Sequence, residues 1–290
     1  MQLVFFILLY PIIWFISILP FRILYVLSDC VYILIYYIIG YRKKVVRGNI
    51  TLALPHLSEK ERLQIEKKSY RHLCDMFLEM IKTMTISVKE IEKRFVFTNL
   101  EMYQEMEKKN KSIAVMIAHY ACYEWTISMN SKIKYEGYAI YKKINNKYFD
   151  KLVRDIRSRF KAKLINTKET IPTIEKNAKN NHLSLFGFAS DQSPQVSKTF
   201  HWQKFMGIET PVHTGAEMLA KRFDMNIIFL RVKKVKRGYY EATFEHLVDN
   251  PKEVPDYQIS DEFLRRVEKQ IYEAPEFYLW THNRWKHKKK

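Results

Sequence analysis

No charged side chain occurs before Arg22. Met1 to Leu19 is a charge-free, mostly apolar run, and about 19 residues of helix nearly cross a hydrocarbon core of about 30 Å. The run lacks a basic start and a small-residue cleavage site, so it reads as a retained segment rather than a cleaved signal. Pro20 and Arg22 end it. A second apolar stretch, Ile23 to Ile39, is broken by Ser28-Asp29, and Tyr41-Arg42-Lys43-Lys44 follows with Arg47 close behind. Such basic clusters stay on the cytoplasmic side of a membrane. Residues 1–40 are therefore expected to anchor the chain, as one spanning or deeply inserted helix plus an interfacial one. Residues 41–290 form the body, on the cytoplasmic face. The competing reading is a helix pair buried in a globular core.

A basic body suits that surface. Net charge is +18, from 49 Lys and Arg against 31 Asp and Glu. This favours an anionic partner: nucleic acid, an acidic protein, a phosphorylated substrate or membrane lipids with acidic headgroups. The 7 glycines are never grouped, and no GxGxxG or P-loop occurs, which argues against a Rossmann or Walker nucleotide site. Cys30, Cys74 and Cys122 are far apart and odd in number, which suggests a reducing compartment and no disulfide framework. His182, His201 and His213 are dispersed, and no Cys/His cluster has zinc spacing, so no metal is expected.

From Asn49 onward the pattern is α/β. Ser58 followed by Glu61 is a capping box that starts a helix running to about Lys82. Phe95–Thr98 reads as a strand, Met102–Lys109 as a helix and Ile113–Ala118 as a fully buried strand. Helices are expected at 124–129, 148–160, 171–178, 211–223 and 261–272. Strands are expected at 138–141 and 183–189, with a hairpin of 225–235 and 239–246 across Lys236-Arg237-Gly238. Pro211 suits a first helical turn. Alternating strands and helices predict an α/β fold, a mixed central sheet flanked by helices. Lys286 to Lys290 forms a basic tip.

The buried strand ends at His119, and Glu124 lies five residues on. A regular helix or strand would keep the two apart, but a chain turning from strand into helix can bring them together. A base with an orienting carboxylate is what the deprotonation of an alcohol requires. Asp191-Gln192 closes another apolar strand.

These pieces together resemble the lipid A biosynthesis (late, or secondary) acyltransferases of the lysophospholipid-acyltransferase-like superfamily, over nearly the whole chain. The family's His-x4-Asp/Glu is matched by His119 and Glu124. Arg47-Gly48-Asn49 with Pro55 and Ser58 is similar to its Arg-x-Asn…Pro…Ser stretch, and Asp191-Gln192 to its Asp-Gln motif. Phe205-Met206-Gly207, Thr210-Pro211, Gly215 and Leu219-Ala220 follow its pattern. Pro275…Tyr278-Leu279-Trp280…His282-Asn283-Arg284 matches its C-terminal signature. Two departures touch the expected headgroup contacts. Tyr141-Lys142-Lys143 stands where Tyr-Arg-Pro is common, and Arg157-Ser158-Arg159-Phe160-Lys161 lacks the glycine of an Arg-x-x-x-Gly stretch.

The resemblance implies transfer of a fatty acyl chain from an acyl thioester, carried by acyl carrier protein or CoA, to a hydroxyl of a lipid A precursor at the bacterial inner membrane. That acceptor is an anionic glycolipid, and no resident cofactor is implied. His119 is then the general base and Glu124 the group that holds its tautomer. Backbone N–H groups near Cys122 to Glu124 are candidate oxyanion donors. Lys142, Arg157 and Arg159 are candidates for phosphate on the acceptor or on phosphopantetheine, and Asp191 for aligning Arg157. Gln192 and Arg284 complete the substrate-binding set; a solvated basic face is the bland alternative for its cations. The same scaffold could acylate an amino-acid-containing lipid or a lysophospholipid. A Cys122–His119 hydrolase is disfavoured because no Asn or Asp partner is evident. Basic residues scattered over many elements, with no recognised motif, argue against a membrane-tethered nucleic-acid binder.

Overall fold

The computed structural model describes residues 2–289, apart from the side chain of Lys198. Met1 and Lys290, the outer ends of the apolar run and of the basic tip, lie outside the described residues. The chain begins with α1 (Gln2–Ile18) and α2 (Phe21–Ile33), which continues as a π-helical turn over Leu34–Ile39. The helix long and apolar enough to cross a membrane is this second one, Phe21–Ile39, of 19 residues; α1 has 17. After α3 (Lys43–Ala53) comes α4 (Glu59–Lys82), with the expected capping box: Ser58 N–H donates to Glu61 at 2.8 Å and Glu61 N–H to Ser58 Oγ at 3.3 Å. Both α1 and α2 pack along α4. Their outer sides leave Phe5, Leu8, Val26, Ile33 and Ile38 exposed.

The body continues α5 (Val88–Arg94), β1 (Phe95–Thr98), α6 (Leu100–Lys108) and β2 (Ile113–Ile117). A 3₁₀ segment (Tyr123–Ser131) then leads to β3 (Glu136–Tyr141), α7 (Lys147–Ser158), β4 (Lys163–Asn166), α8 (Thr170–Lys179) and β5 (Ser184–Ala189). The last third is β6 (Trp202–Phe205), β7 (Ile208–Pro211), α9 (Gly215–Arg222), β8 (Asn226–Lys236), β9 (Tyr239–Val248) and α10 (Gln258–Glu273). Seven strands form one mixed sheet in the order β1-β9-β8-β2-β5-β3-β4. All neighbours run parallel except β8 and β9, which make the expected hairpin. The α/β expectation therefore holds. Central β2 is covered on both faces, which is why it reads as a continuous apolar run.

Two local expectations change. Pro211 does not open a helix: it ends β7 in a separate two-stranded hairpin with β6, and α9 starts at Gly215. The turn between those strands uses Met206 and Gly207, both at positive φ (55° and 76°), a turn that needs glycine at one of its positions. Residues 124–129 are helical, but in a 3₁₀ turn. The short edge strand β4 carries too few residues to show a period.

Candidate active site

His119 leaves the C-terminal end of β2, and the rest of the molecule holds it there. Ala121, at φ 49°, turns the chain sharply. Its N–H donates to Phe277 O at 2.9 Å, Leu279 N–H donates to His119 O at 3.1 Å, and Tyr120 pairs with Tyr278 in an isolated bridge. The C-terminal signature is thus a strap across the turn. Asn49 fastens the strap, its Nδ2 donating to Trp280 O (2.8 Å) and His282 O (2.7 Å). Arg284 is fully buried and its Nη1 donates to Thr210 Oγ1 at 2.9 Å and Pro211 O at 3.1 Å. Several of the motifs singled out in the sequence therefore serve to position one loop.

The partner of His119 is Asp191, not Glu124. Asp191 Oδ1 accepts from the ring Nδ1 side at 2.7 Å and from the His119 backbone N–H at 3.0 Å. Strand register explains this. Parallel β2 and β5 pair Ile117 with Ala189, so the residues two beyond each strand end emerge side by side. Burial pushes the Asp191 carboxyl up, but the His119 ring and backbone N–H outweigh it and hold it below the usual carboxylate range. With Nδ1 engaged by a carboxylate, Nε2 is left to accept a proton. The half-buried rings of His213 and His282 are both pushed down to about 4, by desolvation first, so they stay neutral beside this pair.

Glu124 takes Arg157 instead, in a two-pronged pair of 2.6 and 2.9 Å. The expected alignment of Arg157 by Asp191 is replaced by this pairing. Both Glu124 and Arg157 line the same cleft as His119, as does exposed Lys142. Arg159 points elsewhere: its Nη1 donates to Thr83 O at the C-terminal end of α4. Arg284, expected to touch substrate, has no exposed surface with which to do so. Gln192 is half-buried beside Asp191. Cys122 is fully buried and its thiol is pushed well above its usual range, by burial first and then by Glu79, which removes it as a nucleophile.

The cleft occupies about 460 Å³ and runs from His119 along one face of the sheet. Its floor has room because a glycine or alanine stands in each register pair: Val115 pairs with Gly187, Ile117 with Ala189, Ala139 with Gly187 and Gly137 with Leu185. Four residue rises from Ala189 to Leu185 span about 13 Å. At the far end Asn130 lies over Gly137, so closely that a Cβ there would fall 1.6 Å from Asn130 Oδ1. Phe77 and Met80 of α4, Ile127 of the 3₁₀ segment and Val153 of α7 form the walls. Sequence inspection missed this trough, although small residues at alternate positions of 137–139 and 187–189 are its signal.

A carboxylate-held histidine at the mouth of an apolar trough suits acyl transfer, and an acyltransferase is the class this fold and site define. Residues 2–287 match the family model of the bacterial lipid A biosynthesis acyltransferases, and the chain belongs to that family. It is 23% identical over 255 residues to a lipid A biosynthesis acyltransferase of Haemophilus influenzae, an alignment covering 83% of this chain and 76% of that protein.

Proposed function

We propose that the protein moves a fatty acyl chain from an acyl thioester to a hydroxyl of a lipid A precursor, with His119 as general base held by Asp191. The observation that carries this is the position of His119: Nδ1 bonded to a buried carboxylate, and the ring at the mouth of an apolar trough. The acyl chain lies in the trough. His119 Nε2 takes the hydroxyl proton while the oxygen attacks the thioester carbonyl. The tetrahedral intermediate collapses with cleavage of the C–S bond, and the imidazolium returns its proton to the leaving thiolate. Asp191 stabilises the imidazolium throughout. We assign the oxyanion to backbone N–H groups at the start of the 3₁₀ segment, which have no partner within it. Glu124 neutralises Arg157 and fixes it in the cleft wall.

An acidic acyl carrier protein is the donor we favour. Exposed Lys142 lines the trough, and Lys143 and Lys147, also exposed, follow it in the chain, where a negative partner gains from steering. The apolar helix Phe21–Ile39 supports attachment to the bacterial inner membrane. The basic cluster after it supports a body on the cytoplasmic face. Mass spectrometry of lipid A from cells with and without the protein tests this reading, with His119→Ala as control. Gain of one acyl chain that depends on His119 is expected. An unchanged lipid A acylation pattern refutes it.

A further inference from the structure

A second pocket, of about 550 Å³, lies between the helix that runs on to Ile39, α4 and the β8–β9 turn. We propose that it seats a phosphate group of a lipid headgroup, so that the acceptor reaches His119 from a side the acyl trough does not occupy. This rests on the acyl-transfer reading above.

The pocket has the chemistry of an anion site. Lys68, Arg71, Lys234 and Arg237 line it, against Asp29, Asp75 and Glu276. Arg237 is engaged by Asp29 (2.8 Å) and Asp75 (2.7 Å). Lys234 and Lys68 are held only loosely, at 3.5 Å from Asp75 and 3.7 Å from Glu276. Among the described residues Arg71 forms no ion pair within 4.0 Å; its guanidinium lies 5.1 Å from the Tyr32 ring centroid.

One buried polar atom of the lining lacks any partner, Tyr32 Oη, on a residue only 4% exposed. Lys234 Nζ donates to His72 Nδ1 at 3.2 Å, so the proton of the neutral ring sits on Nε2. Burial, and then Lys234, keeps that ring well below the usual histidine range. His72 thus holds Lys234 in place, and Tyr32 Oη is left free to donate. A donor without an acceptor, beside Arg71 with no acid within 4.0 Å among the described residues, is satisfied by an anion's oxygens.

Position supports a lipid source. Tyr32, Ile33 and Tyr37 belong to the apolar helix whose outer side exposes Ile33 and Ile38, so the pocket opens where headgroups would lie. His72 and Phe277 line both this pocket and a small cavity of about 20 Å³ that borders His119. That cavity and the acyl trough have His119 and Tyr123 in common. The cationic pocket and the base thus stand on either side of His72 and Phe277.

Binding rather than turnover tests the seat, so its failure and failure of the transfer reading are told apart. Calorimetric titration of the full chain in neutral detergent would compare a phosphorylated lipid A precursor with its phosphatase-treated form, and phosphatidylglycerol with diacylglycerol, which lacks the phosphate. The wild type should prefer the phosphorylated precursor by about 10- to 100-fold, the range for a lost charge-assisted hydrogen bond. Arg71→Ala should remove most of that preference, and the milder Tyr32→Phe part of it. If the lost preference is instead for phosphatidylglycerol alone, the phosphate belongs to bulk lipid rather than to the acceptor. A wild type with no preference in either pair, or a preference that survives in both variants, overturns the proposal.

Discussion

Asp191→Asn is the substitution that separates the two carboxylates near His119. The side chain keeps its shape, so packing in this fully buried site is nearly preserved. What is lost is the negative charge bonded to Nδ1 at 2.7 Å. At a separation of charge centres near 4 Å and an effective dielectric of about 20, that charge is worth about 4 kcal/mol to the imidazolium. Such a loss lowers kcat about a thousandfold. Glu124→Gln instead disturbs the pair with Arg157, and we expect kcat to change little, with about a tenfold loss in kcat/KM through weaker seating of the donor. The assay is transfer from a radiolabelled acyl thioester to lipid A precursor in detergent, at saturating donor and acceptor. Thermal unfolding run alongside checks that each variant is folded. If Glu124→Gln proves the more damaging of two folded variants in kcat, the assignment of Asp191 as the partner of His119 is wrong.

Asn49→Ala leaves the carbonyls of Trp280 and His282 without their donor, at a cost of about 2–4 kcal/mol, and loosens the strap over His119. Lowered Tm and kcat together are expected, with no rescue by Asn49→Asp, which carries no N–H. Gly187→Leu places a side chain in the trough where the nearest atom to a Cβ is Tyr138 O at 3.7 Å, so the fold should tolerate it. Steady-state kinetics should then show long-chain donors penalised more than short ones. Burial, opposed by Lys234, raises Glu79 to about 7, while Tyr25 and Tyr240 donate to its oxygens. Because the folded value lies above the unfolded one, this contribution is complete below about pH 4.5 and fades as pH rises through 7. The loss is about 3 kcal/mol. Urea midpoints between pH 5 and 8 should fall with pH in the wild type and flatten in Glu79→Gln.

Local chemistry wrote much of this molecule into its sequence. The Ser58–Glu61 box, the apolar run into His119 and the β8–β9 turn at Gly238 each depend on neighbours in the chain, and each formed where expected. So did the alternation of strand and helix that makes the fold α/β. The hairpin of β6 and β7 was hidden because its turn chemistry, Met206-Gly207, outweighed the helix preference of Pro211.

Strand order was the larger unknown. Nothing local says that β2 lies beside β5, yet that pairing alone brings Asp191 to His119 and leaves Glu124 for Arg157. The same holds for Arg284, whose charge suggested a substrate contact. Only tertiary packing could bury it beneath β7 as a fastening for the C-terminal strap. The sequence by itself determined the strand-end histidine, the apolar segments and the class of fold, because those follow from residue type and short-range period. Partners and pockets were decided by the tertiary structure, because side chains distant in the chain meet only through sheet register and helix packing.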